Sequence, residues 1–247
     1  MSGCGSAAIV PSSTVASRRR LAMAIVALVV LTLLMPAGVS AHNVSKRDAA
    51  FVGSNTGRAI VPFLYLGAKH MVTGYDHLLF LVGVIFFLYK LKDVVQYVSL
   101  FTIGHSATLL LGVLGHVHAN SYIVDAIIGF SVVYKAFDNM DGFQRLLGFQ
   151  PNTKIAVLIF GLFHGFGLAT KLQELALSQN GLIPNIVSFN VGVEIGQVLA
   201  LAAVFIGLSY WRTRAGFLRH AFVTNTCLMV GGFLLVGYQV TGYVVTQ

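Results

Sequence analysis

Apolar residues along this chain come in long uninterrupted runs rather than alternating with polar ones. After an N-terminal run at 21–35, the first is bipartite: 59–68 is apolar, 70–77 is a polar interruption and 78–89 is apolar again. Further runs cover 94–114, 122–137, 155–175, 183–211 and 217–245. At about 1.5 Å per residue each reaches across a hydrocarbon core of about 30 Å, the third and the second half of the first at the short end. The pattern predicts an all-α fold: a polytopic transmembrane helix bundle of about six spans behind an N-terminal signal segment.

The first 41 residues carry their own pattern. Arg18, Arg19 and Arg20 precede the apolar 21–35 run, and Pro36 to Ala41 closes it with small residues at Val39 and Ala41. This is the grammar of a secretory signal peptide, with cleavage after Ala41 and His42 as the new N-terminus; the alternative is a retained first helix. Residues 42–58 read as a short polar extracytoplasmic tail, and 59–247 as the six-helix membrane domain.

Composition agrees with lipid as the main solvent. Of 247 residues, 56% are hydrophobic and 10% charged, and mean hydropathy is +0.81. Soluble domains carry about 25% charged residues. The net charge of +8 does not mark a nucleic-acid partner, because basic residues sit at the ends of apolar runs and form no stripe with polar or aromatic residues. Lys90 and Lys92 follow the first span, Lys135, Arg145 and Lys154 the third, and Arg212, Arg214 and Arg219 the fifth. The loop Gly115 to Ser121 holds no Lys or Arg. This alternation predicts a multi-pass protein of the inner (plasma) membrane with both mature termini extracytoplasmic. Cys4 and Cys227 allow no disulfide framework or CxxC metal site. No GxxxxGK[ST] loop occurs, so no nucleotide is expected.

Ionisable residues inside spans are costly, roughly 2.5–3.5 kcal/mol each on insertion scales, and so are candidates for function. His70, Gly74 and His77 are spaced i, i+4, i+7 and would share a face if the segment is helical, with Asp76 beside them. The second span adds Ser99, Thr102, His105 and Ser106, the third Asp125, the fourth His164, and the fifth Asn190, Glu194 and Gln197. Any single histidine among these is explained by a helix–helix hydrogen bond. As a set they predict convergence on a shared cation. The metal-binding expectation comprises His70, Asp76, His77, His105, Asp125, His164 and Glu194. Asn190, Gln197, Ser106 and the outer-loop residues His116 and His118 are secondary. Imidazole and carboxylate suit nickel, cobalt, zinc and other divalent first-row ions; Met71 is a possible soft ligand. Lys135 and Lys171 read as snorkelling residues.

Two kinds of function use such a set. One is a permease handing a metal ion between weak sites. The other is an intramembrane zinc hydrolase built from His77, His105, His164, Asp125 and Ser106. Gly104 to Thr108 is no nucleophile elbow, since Thr108 replaces the final glycine. A third reading is an accessory membrane protein without turnover.

The chain resembles the HupE/UreJ family in four stretches: His70-xxx-Gly74-x-Asp76-His77-Leu78-Leu79-Phe80, Phe101 to Ser106, Phe163-His164-Gly165, and Phe189-Asn190-x-Gly192-Val193-Glu194-x-Gly196-Gln197. The resemblance covers residues 58–245. It implies a nickel or cobalt uptake permease associated with hydrogenase and urease maturation partners, with metal-handling roles for His70, Asp76, His77 and His164. Met71 stands where the family pattern has Pro; Gly167, Leu168, Ala169 and Lys171 stand where it has Ala, His, Gly and Glu. The metal's identity is left open by these exchanges.

Overall fold

A computed structural model describes residues 46–174 and 178–246; the expected signal peptide, its cleavage point and His42 lie outside the described residues. Nine helices and no strand occur among them: α1 (Lys46–Ser54), α2 (Ile60–Thr73), α3 (Tyr75–Ile85), α4 (Leu91–Leu114), α5 (Ser121–Asn139), α6 (Gly142–Leu147), α7 (Thr153–Glu174), α8 (Leu182–Arg212) and α9 (Phe217–Val245).

Helix boundaries follow local chemistry. The Asn120 side chain accepts hydrogen bonds from the N–H groups of Tyr122 and Ile123 at 3.0 and 3.3 Å, opening α5. Asn152 does the same for Lys154 and Ile155 at 3.0 and 3.3 Å, opening α7. Gly181 opens α8 at φ +80°, where a Cβ would also come within 2.8 Å of the Gly57 carbonyl carbon.

Helices α4, α7, α8 and α9 are each long and apolar enough to cross a membrane. Helix α5 has 19 residues, but Asp125, Lys135 and Asp138 make it less apolar. The bipartite run folds as two helices, 14 and 11 residues long, separated at Gly74. They lie end to end beside α8. At one end Asn185 accepts from the Ala59 N–H at 2.7 Å and donates to the Gly57 carbonyl at 2.9 Å. At the other, Arg212 donates to the carbonyls of Ile85, Phe86 and Leu88.

Three helix pairs make up the bundle, each closed by small residues that let backbones touch. Helices α2 and α8 run parallel: a Cβ on Gly196 would lie 2.6 Å from the Ala68 carbonyl oxygen, and Gly67 and Gly192 face the Phe189 and Leu64 carbonyls. Helices α4 and α7 also run parallel, with Gly104 against the Leu158 carbonyl and Gly165 against that of His105. Helices α5 and α9 are antiparallel, joined at Gly129 and Gly232. The short α3 touches α2, α4, α5, α8 and α9, and seven of its residues are buried.

Three sequence expectations change. The 42–58 tail contains α1, which docks through buried Val52, the Phe51–Phe63 ring contact and a 2.7 Å Asp48–Lys69 ion pair. Lys135, expected near a loop and snorkelling, is buried inside α5 and ion-paired with Asp138. Lys171, in the last turn of α7, pairs with Asp125 of α5 at 2.6 Å rather than reaching the interface.

Candidate metal centre

The centre is built around the break between α2 and α3. Gly74 takes an extended conformation (φ −76°, ψ 93°) that ends α2, and a Cβ there would lie 3.1 Å from the His70 carbonyl oxygen and 3.2 Å from His77 Nδ1. Asp76 falls in the first turn of α3, where the helix dipole favours a carboxylate. Its Oδ1 accepts the His77 backbone N–H at 2.8 Å and lies 3.0 Å from His77 Nδ1. The hydrogen-bond pattern therefore assigns the His77 proton to Nδ1 and the lone pair to Nε2. A carboxylate behind an imidazole in this way fixes the tautomer of a metal ligand.

The His77 ring is the hub of a histidine cluster. Its centroid lies 4.7 Å from that of His164, 5.2 Å from His70 and 5.7 Å from His105. One ring comes from each of α2, α3, α4 and α7, and the close α4–α7 approach at Gly165 brings the last two together. His77, His164 and His105 are 0%, 0% and 1% exposed. His164 Nδ1 donates to the Phe160 carbonyl at 2.6 Å, which leaves Nε2 as acceptor. Among the described residues that Nε2 has no hydrogen-bond partner, and neither has either ring nitrogen of His105. An unsatisfied buried polar atom costs about 1–3 kcal/mol. Gathering such atoms in one place makes sense if an electrophile visits them.

Aromatic rings wall the cluster. Phe101 lies 5.0 Å from His164 and 6.3 Å from His77, and Phe80 lies 5.4 Å from His164. These residues were missed as site components, although Phe101 and Phe160 each precede a cluster histidine by four positions and Phe80 follows one by three. That is helical spacing for a shared face. The histidines pack edge to face, and no group of three His, Cys, Asp or Glu among the described residues is arranged to hold a metal ion as it stands.

Other expected ligands lie elsewhere. Glu194 is exposed on α8, because Gly192, Val193 and Gly196 carry the face that packs on α2. It lines a groove of about 620 Å³ between α4 and α8. Along that seam Ser106 donates to the Asn190 side-chain oxygen at 3.2 Å, and Thr102 to that of Gln197 at 3.2 Å. Of the residues in the hydrolase reading, His77, His105 and His164 meet at the cluster, Asp125 pairs with Lys171 and Ser106 donates to Asn190. Met71 is fully buried, with its Cβ toward Gly196 of α8. His116 and His118 are exposed in the α4–α5 loop, where His118 Nδ1 lies 2.8 Å from the His116 carbonyl oxygen.

The family model described as HupE / UreJ protein matches residues 46–247, which takes in every helix described above. The chain belongs to the HupE/UreJ family. No curated protein and no solved structure is significantly similar to it. In this HupE/UreJ protein the family's first motif forms the α2–α3 break and supplies His70, Asp76 and His77, while Phe163-His164-Gly165 supplies the fourth ring and the glycine that admits α4.

Proposed function

We propose that this HupE/UreJ protein is a membrane permease for a divalent transition-metal ion of the nickel and cobalt class. Its six spans would be α2–α3, α4, α5, α7, α8 and α9, set in the inner membrane. The alternating directions of the three helix pairs support that count. The basic loops at Lys90 and Lys92, Arg145 and Lys154, and Arg212 to Arg219 all fall at the Arg212 end of the bundle, which is the cytoplasmic end by the positive-inside rule. Delivery to a metalloenzyme-maturation partner on that side fits the family.

One observation carries the reading: imidazoles from four separate helices meet inside the bundle, three of them buried, and among the described residues Nε2 of His164 and both nitrogens of His105 have no hydrogen-bond partner. A helix gains nothing by burying such a ring alone. The cluster suits a passing ion better than a resident one. Its rings stack edge to face and must turn to present their nitrogens together, and weak sites release what they bind. His77, backed by Asp76, and His164, backed by the Phe160 carbonyl, are the oriented ligands; His70 and His105 complete the set.

Uptake of radiolabelled nickel, cobalt and zinc into proteoliposomes tests this. Wild-type protein should import at least one ion, and His77→Ala and His164→Ala should reduce import to background. Import that survives both substitutions ends the proposal.

A further inference from the structure

Lys171 stands in the last turn of α7, seven residues beyond His164, about 10 Å along the helix. Its ammonium lies 2.6 Å from Asp125 Oδ2, and the two side chains are 14% and 6% exposed. Asp125 also lies against Gly167, three residues beyond His164 on α7: a Cβ there would come within 3.5 Å of Asp125 Oδ1. Beyond it, Gln173 of α7 donates to the Gly112 and Val117 carbonyls, both at 3.1 Å, so the end of α7 is fastened to the loop carrying His116 and His118. The ion pair therefore lies between that loop and the histidine cluster.

We infer that Lys171 is a built-in cation at the mouth of the histidine centre, which neutralises Asp125 and so sets how tightly the centre holds a metal ion. The inference rests on the permease reading. With both charges present, an arriving dication meets a site where Asp125 attracts and Lys171 repels. If Lys171 were neutral, the Asp125 carboxylate would add its full attraction in a low-dielectric interior. Binding would tighten and release would slow. A carboxylate at position 171 would do this twice over. A lysine there keeps the centre weaker than its histidines and Asp125 together would make it.

The test is metal affinity of the purified full chain, measured by competition between cobalt or nickel and a chromogenic chelator. Lys171→Gln removes the charge yet still donates to Asp125, and should tighten binding on the order of tenfold or more. Asp125→Asn leaves Lys171 uncompensated and should weaken binding by a similar factor. The double variant Lys171→Gln with Asp125→Asn keeps a neutral hydrogen-bonded pair and should return close to wild type. This double variant also controls for folding, since it preserves the contact between α5 and α7. A purely structural pair would leave all three within twofold of wild type. That result, alongside wild-type binding that His164→Ala abolishes, overturns this inference alone. A wild-type protein that binds no ion overturns the permease reading and this inference with it.

Discussion

The imidazole of His77 meets that of His164 edge to face, with ring centroids 4.7 Å apart. Each ring is oriented by a separate acceptor: Asp76 Oδ1 sits 3.0 Å behind His77, and the Phe160 carbonyl 2.6 Å behind His164. Both acceptors engage Nδ1, so in each ring the lone pair falls on Nε2. Two rings on different helices are thus each held in a neutral tautomer with a lone pair available on Nε2, the form in which an imidazole binds a metal ion.

The Asp76 carboxylate should therefore matter through its charge more than its shape. Asp76→Asn keeps an oxygen to accept the His77 backbone N–H, so α3 should still start at Tyr75. Metal affinity should fall by about 10- to 100-fold, the usual cost of losing a carboxylate behind a histidine ligand. Thermal unfolding in detergent should move little. Chelator competition and a melting curve on the same sample check both halves, and an unchanged affinity would reduce Asp76 to a helix cap.

Gly165 tests whether helix approach builds the centre. A Cβ on this glycine would clash with both the His105 carbonyl oxygen and Thr108 Oγ1. Gly165→Leu should push α4 away from α7, separate His105 from His164, and destabilise the protein by about 1–3 kcal/mol or more. Gly207 in α8 has nothing within 4 Å, so Gly207→Ala should be tolerated. Titration into a denaturing detergent, compared with metal binding, would show whether fold and site fail together at position 165.

Much of this architecture was legible in the residues. The six apolar runs match α2–α3, α4, α5, α7, α8 and α9 to within a few positions, because a hydrocarbon solvent leaves little else for such runs to do. The convergence of His70, His77, His105 and His164 was legible too, since a buried imidazole needs company. What failed was direction around each helix. Glu194 shares an i, i+4, i+7 stripe with Asn190 and Gln197, yet Gly192 and Gly196 set the packed face and turn the carboxylate outward. Asp125 and Lys171 lie 46 positions apart, so nothing local announced their pairing. The break at Gly74 was readable as a polar interruption, but spacing alone treated it as continuous helix.

A second buried ion pair gives a stability prediction that is independent of metal. Lys135 packs its Cγ against Gly83 of α3 and pairs with Asp138, which also takes hydrogen bonds from Gln150 and, at 3.5 Å, Thr153. Removing only the carboxylate with Asp138→Ala strands an ammonium in the bundle and should cost about 3–5 kcal/mol. Replacing both residues with Met and Leu should recover most of that loss. A double-mutant cycle in detergent unfolding measures the coupling, and a single variant as stable as wild type would show water reaching Lys135.

Arg212 gives the last prediction, because it ties the far end of the helix that carries His77. Its guanidinium donates to the carbonyls of Ile85 and Phe86 at 2.7 Å each and of Leu88 at 2.9 Å, and it lies 4.7 Å above the Tyr89 ring. Those carbonyls lie at and just beyond the end of α3, where no further helical turn donates to them, although that of Ile85 also accepts the Leu88 N–H at 3.0 Å. A lysine ammonium offers a single point of donation where the planar fork serves three acceptors at once, so Arg212→Lys should rescue only part of what Arg212→Ala loses. The alanine variant should lose about 2–3 kcal/mol, within the range for hydrogen bonds to a charged group. Its signature is local: backbone amides of residues 86–91 should exchange faster with deuterated solvent, while those of the α5–α9 pair stay protected. Uniformly faster exchange would mean that Arg212 holds the whole bundle rather than the end of α3. Because α3 is only 11 residues long, loosening its Arg212 end should also lower metal affinity in the alanine variant, and Arg212→Lys should regain part of both affinity and amide protection in step.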